Sequence, residues 1–279
     1  MIAVCPNPYR DTDLIYTRSC LQMLSTAGYD SCVCPVFTDE SWIPPAGIKI
    51  ASLSEVLPFL SHIVVLGGDG TILAVVRELN GTTVPILGVN MGTMGFMTTM
   101  EVEELNSLPD ALKPEVPISE RMMLDLSLIR GNRHILQETA LNDVVIHGYG
   151  ECIKPTAWAD GKVMFCFSGD GLIIATPTGS TGYSLSAGGP IVEPDARAIL
   201  LTPICAHTLS AKPFVLSPHR KIRILTEKLT GRRAYLAVDG YQVADLESGD
   251  LLEITCSTKS VHMIDQQKRS FYEQLEKLI

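Results

Sequence analysis

His62-Ile-Val-Val-Leu-Gly-Gly-Asp-Gly-Thr71, followed by Ile72-Leu-Ala-Val-Val-Arg-Glu-Leu79, is the stretch whose reading decides the fold. Ile63 to Leu66 is apolar at every position and of strand length, as expected for a strand buried on both faces of a parallel sheet. Ile72 to Leu79 keeps its apolar residues at helical spacing and stops at Asn80-Gly81, a pair suited to a helix end. A glycine loop therefore joins a strand's carboxyl end to a helix's N-terminus. Open parallel sheets bind ligands at that edge, where backbone N–H groups and the helix dipole favour anions.

Upstream, Ile2 to Cys5 reads as a short strand, Thr12 to Ala27 as a helix capped by Asp11 or Thr12 and ended by Gly28, and Ser31 to Val36 as a second strand. Thr38 to Lys49 reads as a loop and Ser54 to Leu60 as a short helix. Downstream, Val84 to Val89 is a further strand, ending in a second glycine-rich loop, Asn90-Met-Gly92-Thr-Met-Gly95. Beyond a proline-containing connector (Pro109 to Pro117) the pattern changes. Leu124 to Arg130, Glu138 to His147, Lys162 to Ser168, Gly171 to Thr176, Arg220 to Thr226, Arg233 to Val238 and Leu251 to Cys256 read as strands separated by turn residues. Gln266 to Leu278 places Phe271, Leu275 and Leu278 on one helical face. The expected organisation is an α/β N-terminal domain, residues 1–115, completed by a C-terminal helix (262–279) that packs back on it, and a mainly β domain, residues 116–261.

With 279 residues there is material for about two domains. A 46% hydrophobic content with 22 Gly and 17 Pro excludes disordered and fibrous classes. The net charge of -9 disfavours nucleic acid or an anionic membrane as the main partner. No secretory signal and no apolar run of membrane-spanning length is read, so a cytoplasmic location is expected. The eight cysteines include no C-x-x-C pair and read as reduced thiols, and the six histidines show no metal-ligand spacing, so no side chains are singled out as metal ligands.

Three stretches carry chemistry. Gly67-Gly-Asp-Gly70 can be no more than a tight turn, but a turn does not explain a carboxylate among three glycines at a strand end. Glycines admit a ligand close to the backbone, and Asp69 can accept a proton from a hydroxyl or organise Mg²⁺. There is no G-x-x-x-x-G-K-[ST] and no G-x-G-x-x-G, which argues against a P-loop NTPase and an ordinary Rossmann dehydrogenase. The second stretch is Asp170-Gly171, an apolar strand, and Thr176-Pro-Thr-Gly-Ser-Thr-Gly-Tyr-Ser-Leu-Ser-Ala-Gly-Gly-Pro190. Read as more than an ordinary polar loop, it offers the hydroxyls of Thr178, Ser180, Thr181 and Ser184 to sugar or phosphate, and Tyr183 to a base. The third is Asn142-Asp143, polar inside an apolar strand. Such residues either bind something or close a satisfied turn or core network.

In this order, the three stretches resemble the NAD kinase family closely. Asn7-Pro8, Gly88-Val-Asn90 with Gly95-Phe96, Ser186 to Pro190, His207-Thr-Leu-Ser210 with Pro213, and Asp239-Gly240 extend the resemblance over most of the chain. It implies phosphorylation of the adenosine ribose 2′-hydroxyl of NAD by ATP with Mg²⁺, giving NADP. It implies Asp69 as proton acceptor, Asn142 at the adenine, Asp143 at a ribose diol and Asp170 at the nicotinamide end. Thr178, Thr181, Gly182, Tyr183, Ser184, Leu185 and Ser186 would line the adenosine half. Gly70, Ser168, Cys205 and Tyr241 complete the implied NAD contacts, and Gly67, Gly68, Gly70 and Thr71 the ATP phosphate contacts. Gly182 stands where Ala is commoner, Ser168 where a basic residue is frequent, Glu193 where His is frequent and Tyr241 where Gln is frequent. The family members are dimers or tetramers, so a homodimer or homotetramer is expected, with ATP or polyphosphate as donor. Two further readings stay open: a lipid or sugar kinase sharing the glycine loop, and a dinucleotide sensor without catalysis.

Overall fold

The computed structural model describes residues 1–38, 42–92, 95–208, 210–226, 229, 231–268 and 270–276. Residues 93–94 of the second glycine loop, Leu209 and Leu278 lie outside the described residues. The chain divides into two compact units, Met1–Glu120 with Val261–Ile279, and Arg121–Ser260.

In the first unit β1 (Ile2–Pro6) is followed by α1 (Ile15–Thr26), β2 (Ser31–Val33), the one-turn helix α2 (Leu53–Val56), β3 (His62–Gly67), α3 (Asp69–Leu79), β4 (Thr82–Asn90), β5 (Met100–Glu101) and α4 (Leu108–Ala111). The strands pair in parallel in the order β2, β1, β3, β4, and β5 lies parallel to β4 as well. Ile2, Ala3 and Val4 of β1, and Ile63 to Leu66 of β3, have no exposed surface, because helices cover the sheet and both alternating side-chain directions are buried. Strand order reverses at β1, so the loops leaving β1 and β3 form the crevice in which open sheets hold ligands. Helix α1 starts later than its periodicity suggests. Asp13 and Leu14 take left-handed φ values of 56° and 53° in a short preceding turn. Asp11 acts as the cap from outside it, accepting the Tyr16 and Thr17 N–H groups at 2.9 and 2.8 Å and the Thr17 hydroxyl at 2.6 Å.

The second unit begins within the strand β6 (Ile118–Arg130) and continues with β7 (Arg133–Ala140), β8 (Asp143–Gly148), β9 (Pro155–Ala159), β10 (Lys162–Cys166), β11 (Gly171–Ala175), a one-turn helix α5 (Tyr183–Ser186), β12 (Ile199–Ile204), β13 (Phe214–Leu216), β14 (Ile222–Thr226), β15 (Ala234–Val238), β16 (Tyr241–Leu246) and β17 (Leu251–Ile264). One antiparallel sheet runs β13, β12, β11, β8, β15, β16. In the other, β10, β9, β14 and the start of β17 pair antiparallel. Alternation sends Val144, Ile146, Leu172 and Ile174 of the first sheet to meet Ala157, Ile222, Ile224 and Leu252 of the second in one core. The other face of the first sheet buries Val145, Ile173 and Ala175 in a smaller cluster. Val261 and Met263, at the end of β17, belong to the first unit and lie parallel to β4.

The expected C-terminal helix begins later than its pattern, residues 262–264 belonging to the end of β17. Only α6 (Phe271–Glu276) is helical among the described residues, beginning after Ser270, whose hydroxyl accepts the Glu273 N–H at 3.2 Å. Its Phe271 ring lies 6.0 Å from that of Phe96, within the first unit. No described helix is long and apolar enough to cross a membrane.

Candidate functional site

Gly67 ends β3, Gly68 is extended, and Asp69 is the first residue of α3. Each glycine has a separate reason. A Cβ at Gly67 would lie 2.1 Å from the Thr71 hydroxyl oxygen, which accepts the Gly68 N–H at 3.3 Å and closes the turn. A Cβ at Gly68 or Gly70 would meet nothing within 4 Å, so these two leave open space beside the backbone. That space is a pocket of about 400 Å³ bounded by Asn7 and Arg10 after β1, Phe37 after β2, Gly68 to Thr71 and Gly95.

The carboxylate of Asp69 is fixed by the loop after β4. Its Oδ2 accepts the Phe96 N–H at 2.8 Å and its Oδ1 the Met97 N–H at 3.0 Å. Gly95 permits this approach, since a Cβ there would fall 2.1 Å from Oδ1. Asn90 organises the same loop, donating to the Gly92 carbonyl at 3.2 Å and to Glu101 at 2.8 Å. The arrangement holds a carboxylate, the side chain that can accept a hydroxyl proton, in one orientation at the pocket wall.

Arg10 was not singled out by the sequence reading. Its guanidinium packs so closely over Gly92 that a Cβ there would lie 2.2 Å from Nη1. It supplies the pocket with a cation. The signal was present in Asn7-Pro-Tyr-Arg10, a turn leaving the carboxyl end of a strand, read only for its Asn-Pro.

In the second unit the chain between β7 and β8 makes a turn at Leu141-Asn142. Asp239, held at a left-handed φ of 48°, accepts the N–H groups of Leu141 (2.8 Å), Asn142 (2.7 Å) and Asp143 (3.0 Å). On the other side the Thr176 hydroxyl donates to the Leu141 carbonyl at 2.6 Å, and the Thr176 N–H to the Asn142 carbonyl at 2.9 Å. Gly179 lies against that carbonyl, where a Cβ would be 2.1 Å from the oxygen. The strand-internal polar pair is thus both a satisfied turn and something more. Asn142 Oδ1 and Thr178 Oγ1 are buried and have no hydrogen-bond partner. Two such oxygens facing nothing are costly unless a ligand meets them. Burial, and then the charge of Asp239, pushes the Asp143 carboxyl up to about 7.

The hydroxyl-rich loop does not turn all its hydroxyls outward. Ser184 is buried and shares a hydrogen bond with Thr202 at 2.9 Å. Ser180 is buried too, donating to the Val192 carbonyl at 3.0 Å and accepting the Val192 N–H at 3.1 Å. These two hydroxyls hold the loop together. Thr181 donates to the Thr178 carbonyl at 3.3 Å. Tyr183 is 41% exposed, with its phenol pushed up by partial burial. Leu185 is half-buried and Ser186 exposed on α5. At Gly182 a Cβ would meet the Gly179 carbonyl at 3.4 Å and Asn142 Nδ2 at 3.8 Å, ordinary contacts, so alanine fits there.

Asp170, half-buried, precedes β11, with Cys152 Sγ 4.0 Å from its Oδ1. The hydrogen bond of Cys205 to Asp170 pushes that thiol up. The Ser168 carbonyl accepts the His207 N–H at 2.8 Å, and Tyr241, half-buried, opens β16 opposite Val238. Among the described residues no three His, Cys, Asp or Glu side chains converge to hold a metal ion.

Comparison with known proteins adds the following. Residues 51–113 match the family described as ATP-NAD kinase N-terminal domain, and residues 141–266 that described as ATP-NAD kinase C-terminal domain. The chain is 42% identical over 213 residues to a NAD kinase of Trichlorobacter lovleyi, covering 75% of each chain. It is 33% identical to the NAD kinase of Lachnospira eligens, over 98% of this chain and 97% of that one. Among solved structures, yeast NADH kinase complexed with NADH superposes with a TM-score of 0.87 at 25% identity, over 99% of this chain and 86% of that one. An NAD kinase from Archaeoglobus fulgidus in complex with ATP does so with a TM-score of 0.76 at 26% identity, over 99% of both.

Proposed function

The chain belongs to the NAD kinase family and phosphorylates NAD to NADP; within that reaction we propose the following division of labour among its residues. The pocket at the head of α3 receives the phosphates of ATP, against the Gly68, Asp69 and Gly70 backbone and the Arg10 guanidinium. Asp69 takes the proton of the adenosine ribose 2′-hydroxyl as the phosphoryl group transfers. Asn142 and Thr178 hold the adenine side, Asp143 a ribose diol, Tyr183 stacks on the nucleoside, and Asp170 meets the nicotinamide end. Phosphoryl transfer asks for positioning and charge neutralisation more than covalent chemistry, so one aligned acceptor of the proton suffices.

Mg²⁺ would neutralise charge on the transferring phosphates. With no cluster of protein ligands among the described residues, it fits as an ion carried on the nucleotide, and Asp69 is the acidic side chain among the residues lining the pocket. Mg²⁺, ATP or polyphosphate as donor, a homodimeric or homotetrameric state and a cytoplasmic location belong to the same reading, and what supports them is the family likeness.

The observation that carries the dinucleotide assignment is the pair of buried, unpartnered oxygens, Asn142 Oδ1 and Thr178 Oγ1. The amide oxygen is an acceptor and calls for a donor, which the adenine amino group is. In the hypoxanthine analogue of NAD an acceptor replaces that donor. Its kcat/KM is expected to be at least about tenfold below that of NAD, the cost of one buried polar group left unpaired. Equal kcat/KM for the two acceptors rejects the placement of adenine at Asn142.

A further inference from the structure

The backbone between β7 and β8 has an unusual property: every N–H from Leu141 to Asp143, and the carbonyls of Leu141, Asn142 and Asp143, are engaged. Asp239 takes the three N–H groups on one carboxylate and returns its own N–H to the Asp143 carbonyl at 2.9 Å. Thr176 takes the other two carbonyls. The side-chain oxygen of Asn142, in the same turn, is buried and left without a partner.

We propose that Asp239 is a positioning residue for dinucleotide recognition: by gripping three successive N–H groups from a strand nearly a hundred residues away, it fixes the turn so that Asn142 Oδ1 is aimed at its ligand before the ligand arrives. The proposal rests on the dinucleotide reading of the Asn142 site. Asp239 is 7% exposed and Asp143 6%, so two carboxylates lie buried together. Burial and then the charge of Asp239 raise the Asp143 carboxyl, and an apolar or amide residue at 239 would remove the second of these costs. What only a carboxylate supplies is two acceptor oxygens for three converging donors. Preorganisation of this kind acts on substrate affinity, because an unfixed turn must be ordered on binding.

The test compares steady-state kinetics of Asp239→Ala, Asp239→Asn and Asn142→Ala with wild type, with the thermal midpoint of each measured. Asp239→Asn keeps one acceptor oxygen, enough for the Asn142 and Asp143 N–H groups, and turns an N–H₂ toward Leu141. The expected result is a KM for NAD raised about tenfold or more in Asp239→Ala and by a smaller factor in Asp239→Asn. KM for ATP stays within about twofold, and kcat within about threefold, because the reacting atoms are untouched. A lowered thermal midpoint with an unchanged KM for NAD in both Asp239 variants overturns the proposal, since that is the signature of a structural cap alone. If Asp239→Ala does not fold, Asp239→Asn decides by the same criterion. Asn142→Ala separates the two levels: if it raises KM for NAD while the Asp239 variants do not, only the positioning role fails. If it too leaves KM unchanged, the dinucleotide reading of the site fails.

Discussion

Asp69→Asn is expected to lower the rate of NADP formation by about two orders of magnitude or more while leaving KM for NAD within a few-fold of wild type. The amide has nearly the shape of the carboxylate but no capacity to take the hydroxyl proton. It also has a single acceptor oxygen, whereas the carboxylate serves the Phe96 and Met97 N–H groups with one oxygen each. One of those donors would face an N–H₂ group, so the thermal midpoint must be recorded beside the kinetics. A loss of kcat with an intact midpoint separates the chemical role from the architectural one. Turnover within about threefold of wild type would remove Asp69 from the mechanism.

The second large effect is expected at a residue with no side chain. Gly95→Ala places a methyl carbon 2.1 Å from Asp69 Oδ1, a separation that an unbonded carbon and oxygen do not tolerate, so either the carboxylate or the loop must shift. A displacement of about 1 Å at a reacting group costs up to about a hundredfold in rate. A fall in kcat of at least about tenfold is therefore expected. Gly95 lies in a half-buried loop outside the main core clusters, so the thermal midpoint should move little. Kinetics like those of wild type would mean that the carboxylate does not need the orientation its two backbone donors impose.

Most of the first unit was legible from sequence because its signals are local. Ile63 to Leu66, three glycines and the 3.6 periodicity of Ile72 to Leu79 fall within twenty residues and specify strand, loop and helix without distant help. A cap at Asp11 or Thr12 was legible for the same reason, although the turn that separates Asp11 from the helix was not. The glycine loop, Asn142-Asp143 and the Thr176 to Pro190 stretch were found through residue types that are unusual at strand ends. What each hydroxyl does there was not legible. Ser184 and Ser180 turn inward because Thr202 and Val192, on chain that folds back later, offer them partners. Asp239 was visible only as part of the family-like pair Asp239-Gly240, since its work is done on N–H groups 96 to 98 residues away. The role of Gly95 depends on where Asp69 points, and Arg10 matters only because β1 and β3 are neighbours, neither of which a single sequence states. The helical pattern beginning at Gln266 overstated the helix at its start, since the described helix begins only at Phe271, whose ring packs against Phe96.

Transfer of a phosphoryl group to NAD by this chain is read as NADP formation by the purified protein supplied with NAD, ATP and Mg²⁺, followed with an NADP-specific dehydrogenase. NADP is expected to accumulate with ATP consumed one for one, its formation stopping when the metal is chelated and resuming when Mg²⁺ is restored. NAD that binds but is never phosphorylated, with ATP left intact, would contradict it.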